Sequence, residues 1–303
     1  MDLSGLKTLL ERQRYRLVGR NSAVKLCHWA KKSILDEGFC YKQQFYGIES
    51  HRCLQMTPSV GWCTHRCVFC WRMTEYTLGT RMSEFDEPAF IVDECVKNQR
   101  LLLAGFGGIP ERINRRKFEE AQDPNQAAIS LVGEPTIYPD LNGLLEEFRR
   151  RNFTTFLVSN GTFPERLSML SVMPTQIYIS LDAPDEKTYL KVDNPLVKDG
   201  WSRINRSLEL VKDLKTKTVI RLTLVKGWNM EGIEGYARLI EKAEPDYVEA
   251  KAFMFVGGSR RRLSIENMPS HHEVKYFSER LAEMLGYRIK DEKEDSRVVL
   301  ISK

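Results

Sequence analysis

Six short apolar, β-branched runs recur along the chain, at Leu54 to Thr57, Ala127 to Val132, Thr154 to Val158, Gln176 to Leu181, Thr218 to Val225 and Tyr247 to Phe253. A polar or glycine-containing loop follows each. Helical patterns lie between them near Pro88 to Leu103, Leu141 to Arg151, Glu165 to Leu170, Trp201 to Lys215 and Met230 to Ala243. This alternation restricts the fold more than any other feature, because a crossover helix returns the chain to the same sheet edge and pairs successive strands in parallel. The expectation is an α/β chain built as a partial (β/α)6 barrel. A doubly wound flat sheet fits the strand count nearly as well.

Ahead of these units, helical patterns at Leu6 to Leu17 and Ser22 to Leu35 predict an N-terminal helical extension over residues 1–50, with Ser22 as an N-cap and Gly38 as a stop. Behind the core at 51–256, a helix from Ser270 to Leu285, with Ser270 and Glu273 at capping-box spacing, precedes a strand near Val298 to Ile301. Residues 257–303 are therefore expected to cap the barrel. The longest insertion, Phe106 to Asn125, is rich in glycine and arginine, and loops of that length often carry function.

No apolar run approaches the roughly 20 residues of a membrane span, and Met1 to Leu10 does not read as an export signal, so a soluble, cytoplasmic protein is expected. In a reducing compartment, seven cysteines point to metal or cluster ligation rather than to a disulfide framework. The net charge of +5 is mild, but basic residues gather at Arg112, Arg115, Arg116 and Lys117, at Arg149 to Arg151, and at Arg260, Arg261 and Arg262. Each cluster is either solvated surface or a grip for a polyanion.

Just after the first strand of the core, Cys63, Cys67 and Cys70 form a C-x3-C-x2-C motif. Three thiolates on a tight loop can each take one iron of a [4Fe–4S] cube and leave the fourth iron open to a ligand. The other reading is a zinc site, with His65 or a distant cysteine completing four ligands. Zinc motifs usually set their ligands in two separated pairs, which favours the cluster. Polar signals then recur past the strand ends, at Gly133 and Glu134, at Asn160, at Ser180 and Asp182, and at Asn229. In a parallel β/α fold such positions share one mouth. Read singly, each is also an ordinary cap or turn residue.

The spacing, with Phe69 before the last cysteine, resembles the radical S-adenosylmethionine superfamily. The resemblance implies that the open iron chelates the methionine part of S-adenosylmethionine, and that an electron from the cluster splits the sulfonium to give a 5′-deoxyadenosyl radical. Gly133 and Glu134 match the superfamily's Gly-Gly-Glu element, with Val132 in place of the first glycine. Asn160, Ser180, Asp182 and Asn229 fall where members of the superfamily contact that cofactor.

Cys27, Cys40 and Cys53 precede the motif at intervals of 13 residues, but their flanks share nothing, and that interval gives no common face on a helix or a strand. Spacing alone assigns them no metal. Together with Cys40-Tyr41-Lys42, Phe45 to Ile48, Leu131 to Pro135, Ile179 to Pro184 and Thr223 to Asn229, however, they resemble the tRNA 4-demethylwyosine synthases. That resemblance implies a second [4Fe–4S] cluster on the three early cysteines, with pyruvate bound there. Lys42 would form a Schiff base with pyruvate, which is reasonable for an amine near cationic iron in little water. The substrate implied is N1-methylguanosine beside the anticodon of phenylalanine tRNA, condensed with pyruvate to the tricyclic base 4-demethylwyosine. An unpaired anticodon-loop base enters a pocket at less cost than a paired one. The basic clusters Arg112 to Lys117 and Arg260 to Arg262 are then the candidates for gripping phosphates. The chain offers no flavin domain and resembles the stand-alone archaeal form, so an external low-potential electron donor is expected. Two rivals remain at the level of sequence: a radical enzyme acting on a peptide or small molecule, and a non-enzymatic zinc protein that binds RNA.

Overall fold

Near-continuous runs of buried, largely apolar or β-branched side chains set the parallel strands, and apolar faces at helical spacing set the crossover helices. The computed structural model describes residues 3–303, which divide into two compact units. The first comprises residues 3–62, 81–158 and 170–175, and the second comprises 63–80, 159–169 and 176–303.

In the first unit, helix α1 (Leu3–Arg12) leads into a hairpin of β1 (Arg16–Val18) and β2 (Ser22–Val24). Helices α2 (His28–Ile34) and α3 (Tyr41–Tyr46) follow, then β3 (Cys53–Thr57), α4 (Pro88–Leu103), α5 (Arg115–Ala121), β4 (Gln126–Ile129), α6 (Leu141–Arg150) and β5 (Thr154–Ser159). Strand β2 runs antiparallel to β3, whereas β3, β4 and β5 are parallel, with Cys53, Gln126 and Thr154 in register. Helix α6 shows why these segments are helical: Leu141, Leu144, Leu145 and Phe148 are buried on one face, and the Asp140 side chain caps the first turn by accepting from the Gly143 N–H at 2.9 Å. Leu26, Ala30 and Ile34 pack with Leu103 and Ala121, which seats α2 against the ends of α4 and α5.

In the second unit, α7 (Pro164–Ser168), β6 (Gln176–Ser180), α8 (Glu186–Val192), α9 (Gly200–Val211), β7 (Lys217–Leu224), α10 (Ile233–Ala243), β8 (Tyr247–Ala252), α11 (His271–Leu285), β9 (Arg288–Lys293) and β10 (Val298–Ser302) follow in order. Strands β6, β7 and β8 are parallel; β10 pairs antiparallel with β8, and β9 pairs antiparallel with β10. The capping box expected at Ser270 and Glu273 is present, with Glu273 N–H donating to Ser270 Oγ at 3.2 Å and Ser270 N–H to Glu273 Oε2 at 2.8 Å.

Three expectations change. The helix expected from Ser22 begins only at His28, because Ser22, Ala23 and Val24 are buried between two partner strands, β1 and β3. The helix expected through Leu17 stops at Arg12, and Arg16 to Val18 extend as the other arm of the hairpin. The insertion from Phe106 to Asn125 carries helix α5, capped by Asn114 Oδ1 accepting from Lys117 N–H at 3.1 Å.

Candidate active site

The C-x3-C-x2-C loop is held by its backbone and by a buried polar net. Cys63 N–H donates to Gly79 O at 3.1 Å, Val68 N–H to Val192 O at 2.9 Å, and Leu196 N–H to Thr64 O at 2.7 Å. Asn160 Nδ2 donates to Thr64 Oγ1 at 2.8 Å and lies 3.9 Å from Cys63 Sγ, while its Oδ1 accepts from the Thr162 N–H and hydroxyl. His65 is buried, its Nε2 2.8 Å from the Tyr189 hydroxyl, and burial pushes its pKa down to about 3, so the ring is neutral. Cys63, Cys67 and Cys70 form no disulfide, and each is partly exposed. Burial, then Asp193, then the other two cysteines raise the Cys67 pKa, which places the three thiols within mutual influence.

Arg72 contributes the cation of this loop. It is 4% exposed, and its guanidinium donates to His65 O at 3.2 Å and to Thr77 Oγ1 at 2.8 Å. Burial opposes its charge, but the thiolates of Cys63, Cys70 and Cys67 outweigh burial and raise its pKa. Its buried Nε has no hydrogen-bond partner. A buried, under-satisfied cation beside three thiols suits an anionic iron–sulfur cluster, whose potential is set in part by nearby charge and hydrogen bonds.

A single zinc ion suits the loop less well. Zn–S bonds of about 2.3 Å require sulfur atoms within about 4 Å of one another. Among the described residues, the groups whose ligand atoms all lie within 4.8 Å are His65 with Cys67 and Asp193, and Glu49 with His51 and Glu120. Neither cysteine trio closes to that distance. The first group contains one cysteine; its His65 turns Nδ1 toward Asp193 at 3.9 Å while Nε2 is held by Tyr189.

The remaining cofactor candidates occupy strand ends. Gly133 has φ +77° and lies against the Ser59–Trp62 turn: a Cβ there would come 2.0 Å from Ser59 O and 2.8 Å from Trp62 O, so only glycine fits. Glu134 is buried, donates its N–H to Trp62 O at 2.9 Å, and accepts from the Thr136 N–H and hydroxyl. In the second unit, Ser180 ends β6 half-buried, and Asp182 Oδ1 accepts from Thr223 N–H at 2.8 Å. Burial pushes the Asp182 pKa up to about 6 and raises that of Asp193, so this pocket of buried carboxylates favours a proton or another cation. The Asn229 side chain is spent internally: it accepts from Val225 N–H at 2.7 Å and donates to Asp182 O and Thr223 O, each at 2.8 Å. It therefore ties the ends of β6 and β7 together.

The early cysteines come together in the first unit. Cys27 is the N-cap of α2, Cys40 is the N-cap of α3, and Cys53 opens β3. Burial raises the Cys53 pKa, Cys27 and Cys40 add to the rise, and Lys42 opposes it, so all four groups share one neighbourhood. Lys42 is 7% exposed and its ammonium lies 4.3 Å from the Phe156 ring centroid. Lys25 lies near Cys27, and burial and then Lys31 lower its pKa against the opposing pull of that thiol.

The basic clusters divide. Arg112, Arg115 and Arg116 are exposed, Arg115 and Arg116 pairing along α5 with Glu119 and Glu120, while Lys117 is 2.6 Å from Asp36. Arg260 and Arg261 are exposed, with Arg260 lying over the Phe255 ring. Arg262 turns inward to the carbonyls of the cysteine loop. Sequence reasoning missed Arg72, Tyr189, Asp193 and this use of Arg262. Only Arg72 carried a local signal, an arginine two residues past the motif.

Residues 57–240 match the family model for the radical SAM superfamily, and residues 242–303 match that for wyosine base formation. The chain is 58% identical, over 97% of its length and 87% of the relative's, to S-adenosyl-L-methionine-dependent tRNA 4-demethylwyosine synthase of Pyrococcus horikoshii. It is 40% identical to that of Methanocaldococcus jannaschii, over 97% and 94% of the two chains. A solved structure of TYW1 with a lysine-pyruvate adduct bound superposes with a TM-score of 0.90 at 38% identity, covering 100% of this chain and 96% of the other. The mixed sheet and crossover helices are thus those of the radical SAM fold, whose enzymes use S-adenosylmethionine and a [4Fe–4S] cluster. Fold, cysteine loop and full-length similarity agree, and the chain belongs to the tRNA 4-demethylwyosine synthase family of radical S-adenosylmethionine enzymes.

Proposed function

We propose that this chain, acting in the cytoplasm, condenses N1-methylguanosine, 3′ of the anticodon in phenylalanine tRNA, with pyruvate to form 4-demethylwyosine, and that it holds two [4Fe–4S] clusters. Cys63, Cys67 and Cys70 would hold the first, and Cys27, Cys40 and Cys53 the second. Held by Cys63, Cys67 and Cys70, that cluster, together with S-adenosylmethionine and an external low-potential electron donor, would supply the radical chemistry needed to take a hydrogen from the N-methyl group. The chain's own groups orient the partners. Gly133 allows close backbone approach, Glu134, Asn160 and Ser180 offer polar contacts, and Asp182, steadied by Asn229, favours the cationic end of the cofactor. Lys42, once deprotonated, adds its amine to the pyruvate carbonyl and expels water, fixing the carbon that the methylene radical attacks.

The observation that carries this reading is the burial of Lys42 in the neighbourhood of Cys27, Cys40 and Cys53. Burying an ammonium is costly, and a lysine-pyruvate adduct is what the related TYW1 structure holds. The test is anaerobic reconstitution followed by borohydride reduction with labelled pyruvate. The expected result is about eight irons per chain and label on Lys42 but not on Lys25. About four irons and an unlabelled Lys42 would point instead to a one-cluster radical enzyme. A colourless, zinc-loaded product would exclude both.

A further inference from the structure

The turn at residues 257–262 lies against the cysteine loop. Gly258 N–H donates to Trp71 O at 2.7 Å. A Cβ on Gly257 would come 2.4 Å from Trp71 O, and one on Gly258 would come 2.3 Å from Arg72 O, so the two backbones touch with no room for side chains. Through that contact Arg262, some 190 residues from the loop in sequence, donates from Nε to Val68 O at 3.0 Å and from Nη2 to Cys70 O and, at 3.2 Å, to Arg72 O. Its Nη1 reaches Thr74 Oγ1 at 3.3 Å and lies 3.8 Å from Glu75. Four of the five positions from Cys70 to Thr74 are thereby committed: the Cys70 and Arg72 carbonyls to Arg262, the Trp71 carbonyl to Gly258, and the Thr74 hydroxyl to Arg262 again.

We propose that Arg262 is a positioning residue for the radical cluster: its planar fork fixes the carbonyls on both sides of Cys70, sets the direction of that thiolate, and adds a fixed positive charge beside the cluster. This rests on ligation of a cluster by Cys63, Cys67 and Cys70, and is independent of pyruvate and of the early cysteines. Lysine keeps the charge but cannot reproduce the fork, whereas glutamine loses the charge. Partners of metal ligands typically change metal affinity by about 10- to 100-fold when removed.

Full-length Arg262→Lys, Arg262→Gln and Gly258→Ala proteins would be reconstituted anaerobically, with Arg238→Gln, exposed on α10, as a distant charge control. Iron release to a ferrous chelator would be timed, and the potential of the cluster whose spectrum responds to S-adenosylmethionine would be measured. The expected result is that all three site variants release iron about tenfold faster than wild type. The potential falls for Arg262→Gln, stays near wild type for Arg262→Lys, and Arg238→Gln matches wild type in both measurements. Wild-type release rates in Arg262→Lys and Gly258→Ala, or a potential in Arg262→Gln no different from that in Arg262→Lys, would overturn the proposal. A wild-type chain that binds no cysteine-loop cluster would instead remove the ligation on which it rests.

Discussion

Lys42 keeps its ammonium at the Phe156 ring, 4.3 Å from the centroid, where a favourable cation–π contact offsets part of the cost of burial. Arginine preserves that charge and cannot form the imine. Lys42→Arg should therefore abolish product, a fall of roughly 10³-fold or more, while 5′-deoxyadenosine release persists. Loss of both signals together would mean that the residue supports the fold or the first cluster instead. Gly133 yields a second prediction: with φ +77° and Ser59 O at 2.0 Å from a built Cβ, Gly133→Ala should lose about 2 to 5 kcal/mol in urea melts. An unchanged midpoint would show that the turn yields easily. At this scale the sequence was most legible where chemistry depends on local spacing. Cys63, Cys67 and Cys70 could be read from eight contiguous residues, and Gly133-Glu134 from two. Arg262 could not, because its partners lie some 190 positions away, and a run of three arginines looks the same whether its members face solvent or protein.

Strand ends, more than single side chains, place the cofactor candidates. Asn229 joins the ends of β6 and β7 through three bonds of 2.7 to 2.8 Å to backbone groups, and Asn229→Ala would leave those groups unpaired. A loss of about 2 to 4 kcal/mol is expected, with KM for S-adenosylmethionine rising more than kcat falls; an equal change in both would deny Asn229 a part in binding. Asp182 adds a pH signature. Burial lifts its pKa from 3.8 to about 6, so the folded metal-free chain holds a proton that the unfolded chain has already released. Its contribution is fully present below about pH 4 and is lost as pH rises through about 6. Stability of the metal-free protein should decline over that window, and Asp182→Asn should flatten the decline; the same slope in both proteins would assign it elsewhere. The parallel strands and the larger crossover helices were legible because their apolar periodicity is strong. The β1–β2 hairpin was not, since Ser22 to Val24 become a strand only by pairing with β1 and β3. Strand β9, Arg-Ile-Lys-Asp-Glu-Lys, was hidden by the charges that suit an edge strand.

At the scale of the whole molecule, Arg112, Arg115, Arg116, Arg260 and Arg261, of the basic residues proposed to grip tRNA, are exposed. Neutralising Arg260 and Arg261 together should weaken tRNA binding and reduce the slope of log affinity against log salt by roughly 1 to 2, with cofactor cleavage in the absence of tRNA unchanged. A constant slope would move the phosphate contacts elsewhere. Among the described residues no helix is long and apolar enough to cross a membrane. The central claim is tested most directly by incubating the reduced, reconstituted chain with S-adenosylmethionine, labelled pyruvate and phenylalanine tRNA carrying N1-methylguanosine, then weighing the digested nucleosides. The account predicts that N1-methylguanosine disappears and a labelled nucleoside of the mass of 4-demethylwyosine takes its place. Steady production of 5′-deoxyadenosine with N1-methylguanosine left intact would contradict it.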